Sequence, residues 1–576
     1  MPIHCANYYA LVQRCAGKDS AAVAELYSFI LRYKTIGAEL SALQRSAVLG
    51  GRHPHLRAQL DEYNTLSEKI VRSLMAVAGK PDPRLPEWQA RKGRLEKELA
   101  NQIPEMDLDQ QMRGVDVKII AQQLPADTLL IEYLKIPTVD LTAVESRGEK
   151  RIQPDRYIAF VVVAGAPEQL AMVDLGLAEA IDRLVMLYRT QLTARGYAQK
   201  GLEVADSEEP AEPESRATGV RLRALVLDPL FPSDGPWPAG TRLLIAPDGE
   251  LSQLPFESLP VGDGQYFWTD YRVSYLGCGR DLLRWRLETS HRAGPPLVIA
   301  DPDFDFPAQG GEPNGEPFGR LPASRKEGEI VAIMLRVPPW FGDQASKERL
   351  KRQRSPAILH IATHGFYLPK EEKDRQKQTP AWIGKLERLE DPLLRSCLAF
   401  AGANHAGSCP ADADDGLLTA AEVMNMDLVA TQLVVLSACE TGLGEIQVGE
   451  GVLGLRRAFN IAGAGAIIMS LWKVSDLATA ILMRSLYQNL LSGMDKDEAL
   501  RSAQDYVRTV KLSELRRRWS SGDMQELRSA DHDSIRGELD AIVPMPDASI
   551  PFAHPRYWGA FIIQGDLRPL TGLSRA

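Results

Sequence analysis

Pro356-Ala357-Ile358-Leu359-His360-Ile361-Ala362-Thr363-His364-Gly365 and Gln432-Leu433-Val434-Val435-Leu436-Ser437-Ala438-Cys439-Glu440-Thr441-Gly442 each carry a hydrophobic run that stops at a small-residue turn. Runs apolar on both faces are the pattern of strands buried inside a parallel sheet. Neighbouring parallel strands end at one sheet edge, where α/β folds collect their functional groups. The two turns can therefore bring the imidazole of His364 and the thiol of Cys439 together. A thiol needs a base close by to act as a nucleophile at neutral pH, so the pair reads as a Cys/His dyad. For a cysteine taken alone, the commoner fate is an inert buried thiol.

Around this pair stand further motifs in a fixed order: His360-Ile-Ala-Thr-His-Gly365, Asp415-Gly-Leu-Leu-Thr-Ala-Ala-Glu422, Leu436-Ser-Ala-Cys-Glu-Thr-Gly-Leu-Gly444, Gly449 to Phe459 and Ser470-Leu-Trp-Lys-Val-Ser-Asp476. Leu243 to Pro260 upstream and Pro555 to Gly565 downstream extend the set. Together they resemble the CHAT domain, a family containing caspase-like cysteine peptidases commonly carried behind tetratricopeptide arrays. The resemblance covers most of 115–566. It implies an α/β fold: a caspase-like, mostly parallel sheet flanked by helices, here preceded by an α-helical N-terminal region. It further implies a cysteine endopeptidase acting on a protein substrate, and it allows a role in bacterial defence or stress regulation.

In that reading His364 is the general base, and the backbone N–H groups of Gly365 and Cys439 form an oxyanion hole, each donor worth about 2.7–4 kcal/mol. No metal or organic cofactor is needed, and a backbone carbonyl could orient the imidazole. Many related peptidases that cut after Arg or Lys place Asp two residues before the nucleophile; Ser437 stands there instead, which puts a basic preference in doubt. Glu440 and Asp476 remain candidate substrate-binding charges, and Ser470 and Trp472 a candidate pocket wall. His360 and His364 could suggest a metal site, but on a strand running into a glycine turn the rings should not converge, so His360 is expected to hydrogen-bond within the sheet. His554 is a weaker alternative base. Gly449 to Gly454 matches a dinucleotide fingerprint formally, yet does not leave its strand immediately as such a turn must. Thr419-Ala-Ala-Glu422 is a capping box.

The chain has 576 residues, 44% hydrophobic and 25% charged, with a net charge of −9. Two or three domains are the prior for that length. The acidic balance offers no footprint for direct nucleic-acid binding. Neither a signal-peptide pattern nor a membrane-length apolar run is present, so a cytoplasmic location without membrane contact is expected. Six cysteines without close pairing argue against a disulfide framework.

Three domains and a tail are expected. Residues 1–110 are expected to form a helical platform, at most a degenerate tetratricopeptide-like one, from apolar residues spaced at three and four around 23–43 and 56–77 and a charged helix near 87–101. Residues 115–235 form a first α/β part, with an acidic, proline-spaced stretch at 203–218 expected to be disordered. The catalytic part spans 236–568 and the tail 569–576. Strands are expected near 129–133, 157–163, 242–246, 272–276, 297–300, 356–361, 397–400, 432–437, 466–471 and 559–563, with a helix at about 175–200. Loops at 302–320, 370–392 and 403–415 interrupt the last part; the second and third, with 203–218, are candidate gating or self-cleavage sites. A regulatory partner could act through the N-terminal helices. The competing functions are a non-enzymatic scaffold and a cysteine hydrolase of small acyl compounds.

Overall fold

A computed structural model describes residues 7–12, 20–34, 53–75, 82–102, 115–143, 150–193, 212–232, 235–262, 264–286, 292–306, 318–367, 392–406, 415–437, 445–447, 451–520 and 533–572. Eleven strands form its main sheet, numbered here along the chain: β1 (Thr128–Val139), β2 (Ile152–Val163), β3 (Ala166–Leu177), β4 (Arg242–Ala246), β5 (Arg272–Tyr275), β6 (Leu297–Pro302), β7 (Trp340–Gly342), β8 (Ile358–Ala362), β9 (Leu433–Leu436), β10 (Ala466–Ser470) and β11 (Phe561–Gly565). Their spatial order is β3-β2-β1-β4-β5-β11-β10-β9-β8-β6-β7. Seven neighbouring pairs run parallel. Only β1/β2, β2/β3 and β10/β11 run antiparallel. This is the expected α/β, mostly parallel sheet flanked by helices.

The central strands are apolar along their whole length because both faces are covered. All side chains of β8, β9, β10 and β11 are buried. Helix Pro322–Leu335 packs on β6, β8 and helix Asp476–Leu491, while helix Lys496–Thr509 packs on β5 and β11. Burial of this kind contributes about 25 cal/mol per Å² of apolar surface, which makes the sheet a rigid frame for its edges.

The N-terminal helices join this frame in two ways. Helix Ser20–Tyr33 shares the main core and is followed by Lys34, whose Nζ lies 3.2 Å from Glu132 Oε1 on β1 and donates to the carbonyls of Tyr133 and Ala246. Arg280 donates back to the carbonyls of Leu31 and Lys34. Helices Arg57–Met75 and Leu85–Gln102 form a hairpin, with Leu60 against Leu99 and Arg91 bidentate to Glu62 at 2.8 Å. The expected first helix extended to 43; residues 35–52 lie outside the described residues.

Three expectations change. Glu212–Val226 is a helix, so the second half of the acidic stretch is ordered, while 203–211 lies outside the described residues. Proline near a helix start and acidic residues in its first turn both favour this conformation, and Ser215 and Thr218 are buried by it. Composition alone had pointed to disorder. Second, Ser396–Ala399 does not join the main sheet; it is the middle of a separate antiparallel sheet between Gly365–Tyr367 and Leu417–Thr419. Third, both described ends of the 403–415 loop are inside the structure: Ala403, Asn404 and His405 are buried, as is Asp415. Residues 407–414 and 368–391 lie outside the described residues.

Gly416 is required where it stands. Its φ is +68°, and a Cβ there would lie 2.4 Å from the backbone nitrogen of Ala403 and 2.7 Å from the carbonyl oxygen of Ala401. Left-handed backbone alone costs a substituted residue about 1–2 kcal/mol, and here the obstructing atoms are backbone. Gly416→Ala is expected to lower stability by more than that amount in urea titration. An unchanged midpoint contradicts the contact.

Candidate functional site

Strands β8 and β9 are adjacent and parallel, with Ile361 paired to Leu436, and Ser437 N donates to Ile361 O at 2.9 Å. His364 follows Ile361 by the same three positions as Cys439 follows Leu436. Strand β10 continues the register, because Leu436 is paired to Met469, and Trp472 stands three positions after Met469. Cys439 and Glu440 lie outside the described residues. The ends of β8, β9 and β10 define this edge.

His364 is half-buried in an aromatic setting. Its ring centroid lies 5.2 Å from that of Phe304 and 5.5 Å from that of Phe318, and Phe318 stacks on Phe366 at 5.7 Å. Its Nε2 is 2.9 Å from the carbonyl oxygen of Gly319. A carbonyl can only accept, so Nε2 carries the proton and the basic nitrogen of the neutral ring is Nδ1. The carbonyl that could orient the imidazole thus has a concrete candidate in Gly319. Gly365 follows immediately, buried and paired to Leu398 in the small sheet, with Ala399 N donating to His364 O at 2.9 Å.

His360 is fully buried, with Nδ1 3.0 Å from the hydroxyl of Tyr487 and Nε2 3.1 Å from Glu327 Oε1. The latter atoms approach without hydrogen-bond geometry. His360 therefore packs and bonds within the protein, as its place on the strand required. Glu327, from helix Pro322–Leu335, also accepts a 2.9 Å hydrogen bond from Ser437 Oγ. A buried carboxylate thus stands directly behind the residue two positions before Cys439, and sequence pattern gave no sign of it.

The other candidates divide. Ser470 ends β10 and is buried. Trp472 is 3% exposed and its Nε1 donates to the carbonyl of Arg556 at 3.0 Å. Asp476 begins helix Asp476–Leu491, whose N-terminus is capped by Ser475 Oγ and by Glu538, the latter accepting from Ser475 Oγ at 2.6 Å and Leu477 N at 3.0 Å. His554 accepts from Arg556 N within its own turn. Thr419 and Glu422 form the expected reciprocal capping box. Cys278 and Cys397 are buried, and burial, the largest influence on each, pushes their thiols up.

Such an arrangement defines an α/β protein whose parallel-strand edge presents a histidine held by a backbone carbonyl. The chain belongs to the CHAT family: the CHAT domain model matches residues 216–566, more than half of the sequence. Over 327 residues, 54% of this chain, it is 26% identical to tetratricopeptide repeat protein 28 of Homo sapiens, and the Mus musculus protein of that name is 25% identical over 326 residues. This chain covers only 13% of either relative. Two crystal structures of the Saccharomyces cerevisiae separase–securin complex align with 84% of this chain and 33% of theirs, at 7% identity and TM-scores of 0.33 and 0.36. No helix among the described residues is long and apolar enough to cross a membrane.

Proposed function

We propose that this chain is a cysteine endopeptidase with Cys439 as nucleophile and His364 as general base. The observation that carries the reading is the paired register of β8 and β9, which gives the histidine and cysteine turns the same starting line, together with the Gly319 carbonyl on the far nitrogen of the ring. Nδ1 takes the thiol proton, and the thiolate attacks the peptide carbonyl carbon. The backbone N–H groups of Gly365 and Cys439 receive the oxyanion. The imidazolium then gives its proton to the departing amine as the C–N bond breaks. Water, deprotonated by the same imidazole, hydrolyses the thioester and releases the acid.

Ser437, Glu440, Ser470, Trp472 and Asp476 are proposed to bound the substrate cleft, with the N-terminal helices as the surface for a regulatory protein. The site of action is read as the cytoplasm. Adding the wild-type chain and Cys439→Ala separately to a lysate of the host tests the reading. Proteins cut by the first and spared by the second support it. Turnover of small thioesters without peptide cleavage assigns an acyl hydrolase instead, and inertness toward both under all conditions assigns a scaffold.

A further inference from the structure

Gly319 reaches His364 from a segment that has no regular structure of its own, yet both of its flanks are fixed. On one side Asn404, 4% exposed, clamps Phe318: Phe318 N donates to Asn404 Oδ1 at 2.6 Å, and Asn404 Nδ2 donates to the Phe318 carbonyl at 3.2 Å. The same Nδ2 donates to Asp305 Oδ1 at 2.6 Å, and Asn404 N donates to Phe304 O at 3.0 Å. On the other side Asp301, at the end of β6 and 3% exposed, accepts two hydrogen bonds from Arg320, at 3.0 and 2.6 Å, and one from Leu321 N at 3.2 Å. Asp301 holds a φ of +41°, a strained value for a residue other than glycine. Its partner β8 puts Ala300 opposite Ala362, so this carboxylate lies one residue from the level where the His364 turn begins.

We propose that Asn404 and Asp301 are positioning residues for the general base: they hold the Gly319 carbonyl against Nε2, and so set the ring tautomer that leaves Nδ1 as the proton acceptor. Their role in turnover rests on the peptidase reading, but their role on the imidazole does not. A side-chain amide that returns both a donor and an acceptor to one residue's backbone acts as a short strand and fixes its neighbour's carbonyl direction. Asn404 is thereby distinguished from a residue that merely fills space. The tilted aromatic rings of Phe304 and Phe318, 5.7 Å apart, pack against the same imidazole from one side, and Asn404 touches the backbone of both.

The test uses the full chain labelled with 15N-histidine, with Asn404→Ala and, at the half-exposed flank, Arg320→Gln as variants. Ring-nitrogen NMR reads the tautomer of His364, assigned by its loss in His364→Ala. Iodoacetamide alkylation of Cys439, followed by mass spectrometry across pH, reads the base. The wild-type ring is expected in the Nε2–H form. Both variants are expected to mix the tautomers, and the Cys439 rate near neutral pH to fall between about ten- and a hundred-fold, the range for a misplaced reacting group. Wild-type ring signals retained in both variants overturn the proposal. If Asn404→Ala does not fold, Arg320→Gln alone decides by the same criterion. If wild-type Cys439 is not alkylated at all, the peptidase reading fails while the ring signals still decide the role of Asn404 and Asp301.

Discussion

Replacing His364 by alanine is expected to slow acylation of Cys439 by an activated ester probe about 10²- to 10⁴-fold at neutral pH, the range for removal of a positioned general base. The ring is held by the Gly319 carbonyl and by packing against Phe304 and Phe318, so its loss removes a preorganised group and not a mobile one. The two cysteines among the described residues provide an internal control. Cys278 and Cys397 are fully buried and their thiols are pushed up by that burial, so neither is expected to carry the label in the native chain. His360→Ala serves as the second comparison, because that ring sits against Tyr487 and Glu327 inside the sheet. It is expected to lower stability without the same loss of labelling per folded molecule. Equal labelling of wild type and His364→Ala, read by peptide mass spectrometry, removes His364 from the chemistry.

The features legible in the sequence are those written locally. Strands β8, β9 and β10 are short apolar runs covered on both faces, and their edges are punctuated by residues that cannot continue them. That is enough to recover their neighbourhood and the His364 turn. Strand β3 is different: it lies at the sheet's edge, with many half-exposed positions, and its pattern of Ala, Glu, Gln, Met and Asp gives no continuous apolar signal. Strand β7 and the outer strands of the small sheet have three residues each, too few for any period to register. The Glu212–Val226 helix was hidden by its acidic, proline-containing start, a composition shared by disordered chain and by a well-favoured helix N-terminus.

The support around His364 was illegible for another reason. Asp301, Phe318, Asn404 and Glu327 come from four segments, and what joins them is the sheet order and the loops folded over its edge. A single Asn in a stretch of Gly, Ala and Ser carries no mark of being buried. Only the clamp on Phe318 gives it a role. The register of β6 with β8 and of β8 with β9 is what turns separate loops into one site, so the information lies in tertiary pairing and not in any window of sequence.

Lys347→Met is expected to cost about 3–5 kcal/mol of stability at pH 7, since it removes one partner of a buried charge cluster and leaves the others behind. Lys347 is fully buried and its Nζ contacts Asp415, donates to the Leu417 carbonyl at 2.9 Å and to Glu422 Oε1 at 3.1 Å. Lys351 Nζ lies 3.6 Å from the same Glu422 oxygen. Burial pushes the Glu422 carboxyl upward, but the charges of Lys347 and Lys351 outweigh it and hold the group below its ordinary range. A carboxylate lowered in the folded state stabilises above its unfolded pKa, near 4.5, and that contribution is lost as pH falls through the lower folded value. Without Lys347 the remaining acid can relieve its burial by taking a proton, so the penalty of the substitution should be full at neutral pH and shrink as pH falls below about 4.5. Urea titrations of wild type and Lys347→Met at the two pH values measure this, and Lys347→Met combined with Asp415→Asn and Glu422→Gln should regain most of the loss. A penalty under about 1 kcal/mol at pH 7, or one that grows on acidification, refutes the cluster's role. The cluster matters to the edge because it ties helix Lys347–Lys351 to the residues that begin and follow Leu417–Thr419, and that strand carries Ser396–Ala399, the strand on which Gly365 is paired. Loosening it should therefore also broaden the His364 ring signals before the chain unfolds globally, whereas a destabilisation confined to the main core would leave them sharp up to the unfolding midpoint.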